Sequence, residues 1–340
     1  MIIGLVYDLR TDYKNLPLDE EDIAEFDSEE TISAIDEAIR SLGYETDRIG
    51  NAQSLCSRLV AGERWDLVFN IAEGLSGRCR ESHVPAILEA YRVGYTFSDP
   101  LVCAITLDKS FAKRIVRDSG LPTPKFEVIE SSGDICDVSL EYPLFAKPVA
   151  EGTGKGIDHN CRVESHDQLK NICEYLLRRF AQPVLVEEFL PGREFTVGVL
   201  GSANNAYVLG IMAIEIPSGT KDAVYSYTAK EQCEQLVNYL PYRNGPLYEQ
   251  LGQLALKSYR VLQCRDAARI DIRCDGKGAP YFLEVNPLPG LHPTHSDLPM
   301  IATQEGMSYE ELIGTIIDSA LKRLKMNGQQ LHDRRYPAYP

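Results

Sequence analysis

The chain has 340 residues, which is enough for two or three domains with buried cores. Its hydrophobic content of 44% and charged content of 25% are typical of a globular protein in water. Lys and Arg total 35 against 50 Asp and Glu, giving a net charge of −15. This charge disfavours nucleic acid and anionic membrane as partners, because both need a positive protein surface.

The cysteines and the first residues indicate a cellular compartment. Nine cysteines occur at irregular spacing without a C-x-x-C pair, which favours a reducing environment over a disulfide framework or a zinc site. The opening residues MIIGLVYDLR are typical of a buried first strand, not of a signal peptide. No apolar run approaches the roughly 18 residues that a membrane span needs. We therefore expect a cytoplasmic protein.

The first part of the chain alternates strands and helices. Hydrophobic periodicity predicts strands at 2–8, 44–48 and 66–70, and helices at 29–42 and 52–61. Such alternation predicts a doubly wound parallel sheet. The long acidic stretch 11–25 interrupts it, and we expect a loop or flap there.

Polar residues follow the third strand. Residues 70–74 (NIAEG) lie at its carboxyl end, where ligands bind in open α/β sheets, although they could equally be a simple turn before a helix. Residues 78–91 have helical spacing, and Arg80, Glu81 and Ser82 begin that segment.

Two lysines and a glycine-rich turn occupy the middle of the chain. Lys109 lies at the start of a predicted helix at 108–119, and Lys147 ends a predicted strand at 144–147. Three glycines at alternate positions follow in 149–157, where free backbone N–H groups could cradle phosphate. The spacing matches neither a Walker A loop nor a dinucleotide fingerprint, and a bare turn is the alternative interpretation.

The second half is predicted to contain further strands of a sheet, a lid and three helices. Residues 217–244 are long, polar and tyrosine-rich, as expected of a lid over an active site. The remaining pattern predicts strands at 183–189, 195–200 and 206–215, and helices at 167–180, 247–262 and 309–323.

The richest pattern is a hairpin at 267–290. Residues two apart share a face of a strand, so Arg269 and Asp271 point together, and Glu284 and Asn286 point together from the second strand. Two carboxylates and an amide oxygen suit a hard cation such as Mg²⁺. A salt-bridged hairpin is the alternative interpretation.

The order of these motifs resembles that of the ATP-grasp ligases, and within them the D-alanine–D-alanine ligase branch. The resemblance runs from residue 68 to about residue 324 and is most specific in the second half. It rests on the two lysines, the glycine-rich turn, the VEEFLPGRE segment at 186–194 and the hairpin residues R-x-D and E-x-N-x-x-P-G.

The resemblance implies the ATP contacts and the metal ligands. ATP would be bound by Lys109 and Lys147 at the phosphates, Thr153 and Gly154 in the closing loop, Glu187, Glu188 and Leu190 at the adenine, Glu194 at the ribose, and Lys230 from the lid at the γ-phosphate. Two Mg²⁺, or Mn²⁺ as an alternative, would be held by Asp271, Glu284 and Asn286.

It also implies the catalytic groups. Arg269 and the backbone N–H of Gly290 would stabilise an oxyanion, Ser296 would contact the acceptor's carboxylate, and Glu29 would bind the first substrate's ammonium group. His295 is a further candidate for substrate contact. A homodimer formed through the first domain is also implied.

Three departures concern the substrate end of the family pattern. The glycine-rich turn after the first strand is replaced by residues 7–10 and the acidic stretch, the lid reads Lys-Glu where the family has Lys-Tyr, and the phosphate loop lacks paired serines. We therefore expect the nucleotide half to match the family and the amino-acid half to differ.

The expected fold is an α/β, ATP-grasp fold with α+β character in its C-terminal half. Its predicted parts are an N-terminal substrate domain (1–98), a central subdomain (99–190) and a C-terminal subdomain (191–340). The expected function is an ATP-dependent carboxylate–amine ligase that joins two amino acids, or an amino acid and an amine-bearing metabolite. A carboxyphosphate-type carboxylase and a non-catalytic nucleotide-binding protein are the alternatives.

Overall fold

The computed structural model describes residues 1–17, 23, 25–152, 154–215 and 238–326. The described residues form three β-sheets. The first has the order β2-β1-β3 and is wholly parallel, as the alternation of strands and helices predicted. Its strands are β1 (Ile2–Val6), β2 (Glu45–Gly50) and β3 (Leu67–Asn70).

Helices cover both faces of this sheet. One face of β1 packs Ile3 and Leu5 against α1, and Val6 faces the core that contains α2 and α3. These helices are α1 (Glu29–Ser41), α2 (Ala52–Val60) and α3 (His83–Ala90). The start of α1 is fixed by Ser28, whose hydroxyl accepts the Thr31 N–H at 3.2 Å.

The second sheet lies in the middle of the chain and is antiparallel, with the order β4-β7-β5-β6. The helix α6 packs on it, and the glycine-rich turn joins β5 to β6. The elements are β4 (Phe126–Ile129), β5 (Leu144–Pro148), β6 (Arg162–Val163), α6 (His166–Phe180) and β7 (Val184–Glu188).

The third sheet is antiparallel with the order β10-β9-β8-β11-β12. Its core contains α4, α5 and α7 on one face, and α8 packs against β8 and β9 on the other. The strands are β8 (Glu194–Leu200), β9 (Tyr207–Glu215), β10 (Asn238–Pro241), β11 (Ala267–Cys274) and β12 (Pro280–Asn286). The helices are α4 (Pro100–Leu107), α5 (Lys109–Asp118), α7 (Pro246–Val261) and α8 (Asp297–Gln304).

The packing crosses the predicted domain boundaries. The predicted central subdomain includes α4 and α5, but both helices share the core of the five-stranded sheet. The last helix, α9 (Tyr309–Met326), belongs by sequence to the C-terminal part but packs against α1 and the parallel sheet. The last helix therefore joins the C-terminal part of the chain to the N-terminal domain.

Several elements differ from the sequence prediction. The helices α4 and α8 were not predicted, and 238–241, assigned to the lid, forms β10 against β9. The rest of the predicted lid, 217–237, lies outside the described residues, as do residues 18–22 and 24 of the acidic stretch. Within the described part of the chain, the structure has no helix with the length and apolarity to cross a membrane.

Candidate active site

The hairpin of β11 and β12 presents the predicted polar face. Arg269 pairs with Asn286 across the two strands, and Asp271 pairs with Glu284, so the four side chains project from one side of the sheet. The ladder shifts register only after Asp271. Thr196 on the neighbouring strand β8 donates its hydroxyl to the Asp271 Oδ1 at 3.0 Å. The carboxylate is therefore held in one orientation.

The Arg269 guanidinium is held on three sides. It donates to the Asp271 Oδ2 at 3.0 Å and to the Asp297 Oδ2 at 2.6 Å. With the amide oxygen of Asn286 turned towards it, that oxygen accepts from the Arg269 Nη2 at 2.6 Å. Asp297 was not predicted as a site residue, and it lies at the start of the unpredicted helix α8.

Lys109 connects the hairpin to the glycine-rich turn. Its Nζ lies 3.4 Å from the Glu284 Oε2 and also donates to the carbonyl of Glu151. Asp108 caps α5 by accepting the Ser110 N–H at 3.1 Å, which fixes the lysine at the first position of the helix. The structure therefore places one predicted phosphate lysine against one predicted metal ligand.

Lys147 and Glu187 face each other on β5 and β7, and an unpredicted third residue joins them. The Glu187 carboxylate lies 2.8 Å from the Lys147 Nζ and 2.7 Å from the Lys113 Nζ. Lys113 is fully buried, and burial lowers the pKa of its ammonium group to about 8. Burial opposes ionisation of Glu187, but the two lysines hold its pKa below its ordinary value. The sequence signal for Lys113 was its position four residues after Lys109, on the same helical face.

The glycine-rich turn is fastened by a carboxylate from the acidic stretch. Glu25 Oε1 accepts the Gly152 N–H at 2.6 Å, while its Oε2 lies 2.9 Å from the Arg80 Nη2 and 3.4 Å from the Lys155 Nζ. Gly154 has a φ of +75°, which only glycine adopts without strain. The predicted Thr153 lies outside the described residues.

The predicted adenine and ribose residues border the central sheet. Glu188 lies 3.3 Å from the Lys125 Nζ, and Leu190 is buried. Glu194 begins β8 and accepts from the Arg273 Nη1 at 3.0 Å. Lys230, the predicted lid lysine, lies outside the described residues.

A cavity of about 700 Å³ lies between the N-terminal domain and the hairpin. Six of the predicted site residues line it: Lys109, Arg269, Glu284, Asn286, Gly290 and Ser296. Ser296 turns its hydroxyl back to accept the His292 N–H at 2.9 Å, and His295 is also in the lining. The structure therefore brings Glu284, Asn286 and the oxyanion and acceptor residues to one space, while Asp271 contacts Arg269 outside the lining.

Glu29 is the predicted residue that the structure places elsewhere. It does not line the cavity, and its carboxylate pairs with Arg48 at 2.5 Å on the outer side of α1. Glu25 and Glu30 line the cavity instead. One helical position decides this, because neighbouring residues of α1 project about 100° apart. Sequence alone could not decide which of the two neighbouring glutamates at the start of α1 faces the cavity.

The described residues contain no cluster of three or more His, Cys, Asp or Glu side chains that could hold a metal ion. The hairpin supplies two carboxylates and one amide oxygen, a set that Mg²⁺ accepts when phosphate oxygens complete it. Asp271 and Glu284 are direct cross-strand partners, and Asn286 follows on the same face. The donor set therefore fits Mg²⁺ brought in with a nucleotide.

An antiparallel central sheet with a glycine-rich turn, facing a second antiparallel sheet whose hairpin carries the R-x-D and E-x-N residues, defines an ATP-grasp enzyme. The family model described as the D-Ala D-Ala ligase C-terminus matches residues 115–318. The chain is 35% identical to the D-alanine–D-alanine ligase of Aquifex aeolicus over 84% of this chain and 93% of that protein. It is 37% identical to a Sinorhizobium fredii protein, y4sG, over 77% and 76% of the two chains.

A solved structure of the D-alanine–D-alanine ligase from Bacillus anthracis complexed with ATP has the same fold, with a TM-score of 0.74. It is 23% identical to this chain and covers 96% of it, with 99% of its own length matched. The chain belongs to the D-alanine–D-alanine ligase family and is an ATP-dependent carbon–nitrogen ligase. This finding sets aside the carboxylase and the non-catalytic alternatives.

Proposed function

We propose that the enzyme joins the carboxylate of one amino acid to the amine of a second amino acid or amine-bearing metabolite. Curated relatives named as D-alanine–D-alanine ligases support amino acids as the substrate class. The observation that carries the proposal is the shared face of Arg269, Asp271, Glu284 and Asn286, with Lys109 3.4 Å from Glu284.

The proposed reaction has two steps. A carboxylate oxygen of the first substrate attacks the γ-phosphorus of ATP, which releases ADP and leaves an acyl phosphate. The neutral amine of the second substrate then attacks the acyl carbon, forms a tetrahedral oxyanion and expels phosphate while the nitrogen loses a proton. The acyl phosphate must be shielded from water during this time.

Residues of this chain have separate proposed roles in those steps. Arg269 and the Gly290 N–H donate to the oxyanion, and Asp297 positions the guanidinium for that task. Ser296 contacts the acceptor's carboxylate. An added Cβ at Gly290 would lie 2.8 Å from the Ser296 Oγ, so a larger residue there would displace the Ser296 hydroxyl.

Asp271, Glu284 and Asn286 would hold one or two Mg²⁺ ions, or Mn²⁺. The ion would supply charge neutralisation at the triphosphate. The buried lysines act with it: Lys109 and Lys147 supply fixed positive charge at the phosphates, because each is almost fully withdrawn from solvent.

The nucleotide would extend from these lysines along the central sheet. Thr153 and Gly154 would close over the phosphates and Lys230 would reach the γ-phosphate from the lid. The adenine would contact Glu187, Glu188 and Leu190, and the ribose would contact Glu194. A homodimer formed through the first domain, located in the cytoplasm, stays a prediction that light scattering and cell fractionation can test.

Phosphate release from ATP, measured with a panel of D- and L-amino acids, tests the proposal. We expect release that depends on both Mg²⁺ and an amino acid, with a dipeptide or amide detected by mass spectrometry. The control is Arg269→Ala, which should abolish turnover while leaving ATP affinity within about threefold, because the guanidinium acts on the oxyanion. The absence of amino-acid-dependent release across the panel would contradict the proposed function.

A further inference from the structure

The cavity lining is strongly acidic. In the described part of the chain, eight carboxylate residues line it against three basic ones. The acidic ones are Glu25, Asp27, Glu30, Glu73, Glu81, Glu151, Glu284 and Asp297, and the basic ones are Arg10, Lys109 and Arg269. A negatively charged lining repels anions and attracts cations, so its free carboxylates favour a cationic ligand.

Half of these carboxylates already have cationic partners. Glu25 lies 2.9 Å from Arg80, and Glu151 lies 3.5 Å from Lys155. The other two pairs are those at the hairpin, Glu284 with Lys109 and Asp297 with Arg269. These four carboxylates are neutralised within the protein.

Glu73 and Glu81 differ from this group. Neither carboxylate belongs to one of these four ion pairs. Glu81 is only 9% exposed, and its Oε2 is buried without a partner. A buried carboxylate oxygen without a partner is unfavourable by several times the free energy of an ordinary hydrogen bond, so native structures rarely keep one without a function.

The same two carboxylates repel each other. Burial and the charge of Glu73's neighbours, Glu81 first among them, raise the pKa of Glu73 well above its ordinary value. Burial raises the pKa of Glu81 to about 7, although Arg80 acts in the opposite direction. Both groups line the cavity and therefore stand to gain from a cation that binds there.

We propose that one of the two substrates carries a second cationic nitrogen, as a diamino acid does, and that Glu73 and Glu81 bind this nitrogen at the N-terminal end of the cavity. This inference rests on the proposed ligase function. A single α-ammonium group does not account for the site, because it neutralises one charge and Asp27 and Glu30 also face the cavity.

An organic cation fits better than a metal ion. The described residues contain no group of three His, Cys, Asp or Glu side chains that could hold a metal, so Glu73 and Glu81 lack a third ligand of that kind. A primary ammonium group has three N–H donors and can bridge two carboxylates without such a ligand. Charge-assisted hydrogen bonds of this type are about twice as strong as neutral ones.

Calorimetric titration of the full chain with ADP and Mg²⁺ present tests the inference without turnover. The probes are both enantiomers of ornithine and of its neutral isostere norleucine. We expect one enantiomer of ornithine to bind at least about 10-fold more tightly than norleucine of the same hand. We also expect protons to be released on binding at pH 7, because a pKa of about 7 leaves the Glu81 carboxyl group partly protonated before the cation arrives.

Two variants and one control make the test specific. Glu81→Gln and Glu73→Gln should each lower the ornithine preference at least about threefold and leave norleucine affinity unchanged. Glu37→Gln removes the same charge from an exposed position on α1 outside the cavity and should leave the preference intact. Equal binding of ornithine and norleucine, or an unchanged preference in both cavity variants, would overturn the inference.

The two proposals fail in different ways. If norleucine supports phosphate release as well as ornithine does, the diamino-acid inference is wrong and the ligase proposal stands. If ornithine binds with the expected preference but no amino acid supports phosphate release, the ligase proposal is wrong and the cation site stands.

Discussion

The buried group of Lys113, Glu187 and Lys147 allows a sharp prediction about stability. Two ammonium groups share one carboxylate, at 2.7 Å and 2.8 Å, and none of the three side chains is more than 7% exposed. Glu187→Gln leaves both cations without their anion. Removing one partner of a buried ion pair costs about 3–5 kcal/mol. Lys113→Met instead leaves Lys147 and Glu187 as a balanced pair.

The cost of Lys113→Met should therefore be small. The fall in the pKa of Lys113 from 10.5 to about 8 corresponds to about 3 kcal/mol against its charged form. Methionine fills a similar volume without that penalty. The Thr123 hydroxyl keeps its hydrogen bond to the Phe282 carbonyl at 2.8 Å, so the substitution leaves that acceptor satisfied. We expect a change of no more than about 1.5 kcal/mol in either direction.

Melting temperatures at pH 7 measure the difference. At about 2–4 °C per kcal/mol, Glu187→Gln should melt roughly 6–20 °C below the parent enzyme, and Lys113→Met within about 6 °C of it. Glu188→Gln is the matched control, because its partner Lys125 is 79% exposed and such pairs contribute little. If Lys113→Met lowers the melting temperature as much as Glu187→Gln, the charge of Lys113 is net stabilising and the reasoning is refuted.

Three further predictions concern the cavity. Asp297→Asn should lower kcat about 10–100-fold with little change in the KM for ATP, because it loosens the Arg269 guanidinium held at 2.6 Å; equal losses in both parameters would contradict this role. Chelation by EDTA should abolish turnover reversibly, and Glu284→Gln should raise the Mg²⁺ concentration for half-maximal activity at least about 10-fold, as a metal titration of phosphate release would show. Glu81→Gln should raise the melting temperature at pH 8 but not at pH 4. Because the pKa of Glu81 is raised in the native state, that state binds more protons than the unfolded state between the two pKa values. The destabilisation caused by the ionised Glu81 therefore develops as pH rises from about 4.5 to about 7. The same difference in melting temperature between the variant and the parent enzyme at both pH values would contradict the raised pKa of Glu81.

The hairpin could be predicted because its information is local. Alternation of period two places Arg269 with Asp271 and Glu284 with Asn286, and a short turn leaves little freedom in how the strands pair. The structure has that pairing. The parallel sheet was predictable because strands and helices alternate along the chain, although long segments separate β1 from α1 and β3 from α3.

The partners of these residues were not predictable, because they come from distant parts of the chain. Glu187 is 74 residues from Lys113, and Glu25 is 127 residues from the Gly152 N–H that it accepts. The helix α8, which supplies Asp297, has a proline in its first turn and only eight residues, so its periodicity is short. Only tertiary packing brings such groups together, and no local pattern specifies it.

The division between a familiar nucleotide half and an unusual substrate half has a physical basis. Phosphoryl transfer from ATP makes the same demands on charge and geometry whichever acid is activated, so a hairpin, two lysines and a glycine-rich turn suffice for any member of this class. The substrate end has no such fixed requirement. Here it is built from the segments 25–30 and 70–82, which lie mostly between the regular elements of the first domain and can place carboxylates without disturbing a sheet. Glu73 and Glu81 lie in those segments, and the residues proposed to bind the phosphates and the metal lie elsewhere. A change of substrate therefore needs no change in the phosphate chemistry.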